Sequence, residues 1–528
     1  MLGKRWLATS VNTIEEERMV KKISVLALAG LIAFPAMSLA GGSGKGGAAN
    51  VDDLERKIEE LSRQLDELKA QMGKQGEVDS ATSQQLSDLA DSLEGFDERA
   101  DAWDLAARFN FYGDFRTRLD YYNANTVSGG SLENDTLWTN RFRLNMRVKA
   151  TENVEFKGRL AMFKAYGMQA PFENNTSDPM PFPVFDGNVT RTTDDSALYV
   201  DRAYVNWNNI GGAPVWLSFG RRPTTDGPPS QIRMGEDERL ATPAAAFNYA
   251  FDGITAGYGY SWGNENLGAG KVRFCYGRGF EDGLLDDGNI NDSDFAGINW
   301  DILGRGRRLL NLQAFGVFNA ISYPQFKDIP DQFAAEEFGE RVNLGNIWHT
   351  DVVWQDEVAN FNYFVEGGWS NTQPNDNGMF NDFAGMFAGQ TGPNTGSENG
   401  YLIYAGLRYD MDNIRLKLGA EYNYGSQYWI AFTPAHDDIY QSKLATRGHV
   451  FELYSIYDIP AGEAISKYGR AFIRLGYQYY DYTYSGSGTW YFPSYDLGNA
   501  NDLAKLDALG YDSIDDAHQI YLTFEAYF

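Results

Sequence analysis

Eight basic side chains fall in three neighbouring stretches of the chain at even spacings: Arg116 and Arg118, then Arg141, Arg143, Arg147 and Lys149, then Lys157 and Arg159. At the two-residue period of a β-strand each group shares one face. Cations stacked along one wall of a wet lumen focus the field and raise the local concentration of anions. Following the same face through every candidate strand adds Arg108, Arg202, Arg222, Lys271, Arg273, Arg408, Arg415, Lys417, Arg470 and Arg474. It also collects ten acids: Asp114, Asp120, Glu155, Asp301, Asp351, Glu366, Glu421, Glu452, Asp458 and Glu525. That face therefore has a surplus of eight positive charges in a chain whose net charge is −27. Two arrangements follow. The arginines stand free and favour anions, or they pair with carboxylates of a long loop (Asp226, Glu236, Asp237, Glu238) and produce a transverse field.

Other chemistries find little support. The charge of −27 opposes nucleic-acid binding, which needs a basic surface. The single cysteine, Cys275, excludes an intramolecular disulfide framework, a multi-cysteine zinc site and a CxxCH haem attachment. His349, His436, His449 and His518 lack metal-ligand spacing, and no G-x-S-x-G is present. Asp287, Asn289 and Asn291 alternate as Ca²⁺ ligands do, but the EF-hand glycine and terminal Glu are missing, the twelfth position being Ile298. Gly42 to Gly47 formally matches G-x-G-x-x-G without a preceding strand. The expectation is a protein that is not an enzyme and has no cofactor and no metal.

The elements that must position the basic face begin after residue 103. Lys21 and Lys22 precede an apolar run from 23 to 37, followed by Ser38-Leu39-Ala40. This reads as a secretory signal peptide over 1–40, with Met19 as the expected true start. Residues 41–50 are a Gly/Ser linker. Over 51–100 a coiled coil is expected, its seam formed by Val51, Leu54, Ile58, Leu61, Leu65, Leu68 and Met72 at alternating spacings of 3 and 4. Past Trp103 the period changes to two. Phe109, Phe111, Phe115 and Leu119 alternate with the charged set, as do Phe142, Leu144, Met146 and Val148. A secreted chain with no further apolar stretch of helical length can enter a membrane only as a closed barrel.

Connection lengths give the strand count. Short connections near 151–153, 208–214, 263–270, 304–307, 356–358, 410–413 and 459–468 alternate with long ones near 122–136, 167–196, 223–250, 281–294, 322–346, 372–399, 428–447 and 485–516. Seven turns and eight loops join sixteen antiparallel strands over 104–528. Trp207, Trp262, Trp354, Trp369 and Tyr409 lie near strand ends, where interfacial aromatics are expected. The chain closes on an amphipathic strand ending in Phe528. That ending looks like the signal read by the outer-membrane barrel-assembly machinery.

This architecture resembles the 16-stranded bacterial porins, and the N-terminal heptads look like those of the sucrose and phosphate-selective porins. Residues 141–164 (RFRLNMRVKATENVEFKGRLAMFK) and 220–229 (GRRPTTDGPP) most resemble porin-like proteins of metal-reducing bacteria such as Geobacter. The resemblance implies an all-β transmembrane barrel with a periplasmic coiled coil, in the outer membrane of a Gram-negative bacterium. It implies a homotrimer surrounded by lipid and lipopolysaccharide that passes small solutes or ions. It also implies that the third long loop, 223–250, folds inward as a constriction carrying Asp226, Arg233, Glu236, Asp237, Glu238 and Arg239. A different reading, motivated by that bacterial group, is a barrel that sheathes or tethers a periplasmic cytochrome.

Overall fold

Alternation of apolar and polar residues becomes a single sheet that closes on itself. The computed structural model describes residues 63, 108–167, 196–224, 227–235, 242–243, 245, 247–248, 250–283, 290–323, 339–433, 442–462, 464, 466 and 468–528. The expected signal peptide, linker and coiled-coil seam lie outside the described residues. The strands are β1 (Phe109–Thr126), β2 (Ser131–Lys149), β3 (Val154–Ala165), β4 (Tyr199–Trp207), β5 (Val215–Pro223), β6 (Ala250–Ser261), β7 (Ala269–Phe280) and β8 (Ser293–Arg305). They continue as β9 (Arg308–Ile321), β10 (Asn343–Val358), β11 (Phe361–Pro374), β12 (Asn399–Met411), β13 (Leu416–Gly425), β14 (Gly448–Asp458), β15 (Arg470–Tyr482) and β16 (Ile514–Tyr527). Each pairs antiparallel with its sequence neighbours, and β1 pairs with β16 to close a sixteen-stranded barrel. No helix among the described residues is long and apolar enough to cross a membrane, so crossing falls to the strands.

The two-residue period places the faces without ambiguity. In β16, Ile520, Leu522 and Phe524 are 40–44% exposed, whereas Tyr521, Thr523 and Glu525 are at most 1% exposed. The exposed set is apolar because it faces the outside of the barrel, where lipid replaces water. A Lys or Arg there would cost about 2–4 kcal/mol at the bilayer midplane. Trp207, Trp262, Trp369 and Tyr409 share the outer surface.

Phe528 extends the ladder that closes the ring between β1 and β16. Phe528 and Gly113 exchange two backbone hydrogen bonds of 3.0 Å. A β-carbon on Gly113 would lie 2.3 Å from the Arg143 carbonyl oxygen and 2.7 Å from Cζ of Phe528. Only glycine lets the terminal ring settle on this seam. A similar fit occurs inside, where the Tyr521 ring would come within 2.1 Å of a β-carbon at Gly476.

Two features depart from the alternation rule. The connection expected near 122–136 is mostly strand: β1 and β2 keep pairing out to Asn125 and Ser131, past a register shift between Asp120 and Tyr122, and are joined by 127–130. Polar residues such as Asn123 and Glu133 read as loop, but ladder hydrogen bonds do not require apolar side chains above the membrane edge. The inward face is also not uniformly polar. Phe251, Phe295, Phe315, Val317, Ile347 and Phe280 point inward and are buried together with Phe247, Met379, Phe380, Ile430, Phe432 and Trp490 from the long connections. Those connections return into the barrel. Phe380 N donates to Trp490 O at 2.8 Å, Asn248 N donates to Phe432 O at 2.7 Å, and Trp490 Nε1 donates to Ile321 O at 3.1 Å. Arg447 ties them together, donating to Trp429 O at 3.1 Å, Gly486 O at 2.7 Å and Thr489 O.

Candidate functional site

The basic ladder lies where the period of two puts it, along the inner wall of β1, β2 and β3. Asp114, Arg116, Arg118, Arg141, Arg143 and Arg159 are all buried there. Among the described residues, carboxylates of the wall itself are partners of this ladder. Asp114 accepts from Arg141 at 2.8 Å and from Arg143 at 2.7 Å. Arg141 also reaches Glu525 at 3.1 Å, and Arg118 forks onto Asp120 at 2.7–2.9 Å. Arg147 and Lys157 share Glu155 at 2.6 and 2.9 Å, and Arg159 pairs with Asp201. Arg116 sits in register between Arg141 and Glu525. Lys149 is exposed at the short-turn end of β2. Pairing inside the wall converts a column of like charges into a row of dipoles lying across the lumen. A buried guanidinium needs this company, because desolvating it alone costs several kcal/mol.

A short helix from the third long connection, α1 (Ser230–Met234), lies inside the barrel with all five residues buried. Its partners come from the wall formed by β10, β12, β14 and β15. Gln231 Nε2 donates to Gln355 Oε1 at 2.9 Å. Carbonyls at its C-terminal end also accept from arginines of the wall. Arg408 Nη1 donates to Ile232 O at 2.5 Å, Arg474 Nη1 donates to Arg233 O at 3.0 Å, and Arg470 donates to Gly235 O. Gly235 has φ of 70°, a left-handed turn that ends the helix.

Glu452 of β14 is the node of this interior. It accepts from Arg233 at 3.2 and 3.3 Å, from Lys443 at 2.5 Å, from Gln478 at 3.1 Å and from Tyr521 at 2.6 Å. Lys443 also pairs with Glu421, which accepts from Tyr404 at 2.7 Å. One carboxylate thus joins α1, the segment before β14, and strands β15 and β16. Of the expected constriction residues, Arg233 is at this node, while Asp226, Glu236, Asp237, Glu238 and Arg239 lie outside the described residues. Lys443 was not legible as a site residue, because it sits in a connection where periodicity carries no information.

His349 Nε2 lies 3.0 Å from Ile430 O, and His449 and His518 each lie 2.8 Å from a tyrosine hydroxyl. Asn291 N donates to Asn343 Oδ1 at 2.5 Å, and Asp287 and Asn289 lie outside the described residues. Among the described residues no group of three or more His, Cys, Asp or Glu side chains is arranged to hold a metal ion.

Across from the charged quadrant the wall is aromatic. Phe247 packs on Phe251, Phe295 and Phe315 with ring centroids 4.6–5.3 Å apart. Between these rings and Arg222, Arg273, Thr224 and Cys275 lies a cavity of about 700 Å³. The lumen therefore has a charged half and an aromatic half, and the cavity lies where aromatic rings meet guanidinium groups.

The fold and its two faces define a sixteen-stranded transmembrane β-barrel with a charged, loop-crossed interior. Within that class the chain belongs to a family described as protein of unknown function (DUF3373), whose model matches residues 131–528. No curated protein matches the sequence. Solved structures with similarity include OmpT of Vibrio cholerae in its trimer form, at 12% identity and a TM-score of 0.38, covering 80% of this chain and 99% of that one. The anion-selective porin from Comamonas acidovorans is similar at 10% identity and a TM-score of 0.42, covering 80% of this chain and 99% of that chain. Pseudomonas putida OprB is similar at 12% identity and a TM-score of 0.41, covering 80% and 96%.

Proposed function

We propose that the protein is an outer-membrane porin through which small hydrophilic solutes diffuse passively. One observation carries this reading: a closed ring of strands whose outward positions are apolar and whose inward positions over much of the wall are charged and hydrogen-bonded. A polypeptide gains from that inversion only if lipid lies outside and water enters inside. Helix α1 narrows the path, so the pore is more selective than a sixteen-stranded barrel without an inward loop. Paired arginines orient solute dipoles, and their surplus over wall acids leaves a modest anion preference. The reading includes insertion by the barrel-assembly machinery, a homotrimer, and a periplasmic coiled coil below it.

Purified protein in planar bilayers is the test. Discrete, ohmic conductance steps are expected, with a reversal potential in a KCl gradient displaced toward the anion value. A cation-selective reversal potential removes the anion preference. A barrel that passes no current and co-purifies with a haem protein replaces the porin reading with that of a cytochrome sheath.

A further inference from the structure

The cavity between β6, β7, β8 and β9 has the chemistry of a binding station rather than of a plain passage. Its apolar side is the packed set Phe247, Phe251, Phe295 and Phe315. Its polar side carries Arg222 and Arg273. Arg273 is held in place by Asn299 and by Asp301 at 3.2 Å. Arg222 differs: its Nη1 is buried with no hydrogen-bond partner among the described residues, and its guanidinium lies 5.8 Å from the Tyr204 ring. Thr224 Oγ1, on the same cavity, is likewise buried and without a partner. Buried donors are nearly always satisfied, and a guanidinium N–H is among the most costly to leave idle. Two such groups on one cavity lining point to an acceptor that enters from outside the chain.

The wall leaves room for it. Gly277 and Gly297 replace side chains on the strands behind the cavity, and a β-carbon at Gly297 would lie 2.4 Å from Cβ of Phe315. A neutral aromatic molecule would fill the phenylalanine side and leave Arg222 unanswered. Acetate or chloride would answer Arg222 and leave the phenylalanine surface wet. A flat ring bearing a carboxylate does both, offering a planar acceptor to the guanidinium and a π-face to the phenylalanines.

We propose that this chamber binds small aromatic carboxylates, which makes them a preferred solute class of the barrel. The proposal deepens the porin reading by naming what the interior recognises. The chamber contains its own reporter, because Cys275 is the only cysteine in the chain and lines the same cavity.

The experiment uses the full chain in detergent, with phenylacetate as probe and acetate and benzyl alcohol as controls. Binding is measured by equilibrium dialysis with labelled phenylacetate, and separately by the rate of Cys275 alkylation read by mass spectrometry. Saturable phenylacetate binding and slowed alkylation are expected, with little effect of either control at the same concentration. Arg222→Gln should weaken binding about tenfold, the size of a lost charged hydrogen bond. Arg305→Gln, exposed at the short-turn end of β8, should leave binding unchanged. Equal protection by benzyl alcohol overturns the carboxylate requirement. Absence of saturable binding overturns the chamber altogether, whatever the reactivity of Cys275. Neither measurement needs a current. A non-conducting barrel that binds phenylacetate sinks the porin reading alone, and a conducting barrel that does not bind it sinks the chamber alone.

Discussion

Glu452→Gln is the substitution that separates a braced interior from a merely crowded one. The amide keeps the shape of the side chain and removes the charge. Glu452 accepts from Arg233 and Lys443, two cations, and from Gln478 and Tyr521 at 3.1 and 2.6 Å. In the variant the amide NH₂ faces donors where a carboxylate oxygen of Glu452 accepts from them, while Lys443 keeps Glu421. The main loss falls on Arg233 and so on α1. Removing one partner of a buried pair costs about 3–5 kcal/mol. That shifts the equilibrium between docked and released α1 by roughly 150- to 5,000-fold. The helix keeps the anchors from Gln355, Arg408, Arg470 and Arg474, so partial release is expected rather than loss of the fold. The assay is single-channel recording together with the temperature of heat-modifiability on gels, in a double-mutant cycle with Arg233→Met. Increased open-channel noise and a coupling energy of at least about 1.5 kcal/mol are expected. A coupling below about 0.5 kcal/mol with unchanged noise would refute the claim that Glu452 braces the constriction.

Three further outcomes follow from the same geometry. Asp114→Asn removes the negative charge shared by Arg141 and Arg143; one uncompensated positive charge contributes about 0.6 kcal/mol at about 7 Å in water, so the reversal potential should move toward the anion value, and a move toward the cation value would contradict it. Gly113→Ala forces a β-carbon into the Arg143 carbonyl and the Phe528 ring; overpacking of this kind costs about 1–3 kcal/mol, so the seam should open at a lower temperature on gels, and an unchanged transition would count against closure through Phe528. Asp382 caps the short helix at Phe383–Phe387 and accepts from Tyr495 at 2.5 Å and Lys505 at 2.9 Å. Burial raises its pKa, but the hydrogen bonds from Tyr495 and Lys505 outweigh that and hold it below its ordinary value of 3.8. A depressed carboxyl stabilises above that value and loses its contribution as pH falls through the lower, folded one. Proteolysis of the 375–398 and 483–513 connections should therefore accelerate below about pH 4. In Asp382→Asn it should be fast at neutral pH and less dependent on acid, and equal pH dependence in both proteins would argue against the contact.

Much of the barrel was legible in the chain because a strand repeats every two residues and lipid punishes any charge on the wrong side. Ile520, Leu522 and Phe524 against Tyr521, Thr523 and Glu525 already state which surface meets lipid, and alternating connection lengths state that sixteen strands close. The same rule put Arg116, Arg118, Arg141, Arg143 and Arg159 on the inner wall. It could not tell what each arginine touches, because Asp114 and Arg141, or Arg474 and Glu525, become neighbours only through the register of β1 against β2 and of β15 against β16. Nor could it find Lys443, Arg447 or the phenylalanine half of the lumen. Those depend on long connections turning inward, and a connection has no period from which direction can be read. Local patterning decides which surface faces lipid and which faces in, since the cost of an error is paid residue by residue. The shape of the path through the middle is decided by contacts between segments far apart in sequence, whose energies exist only once the ring has closed.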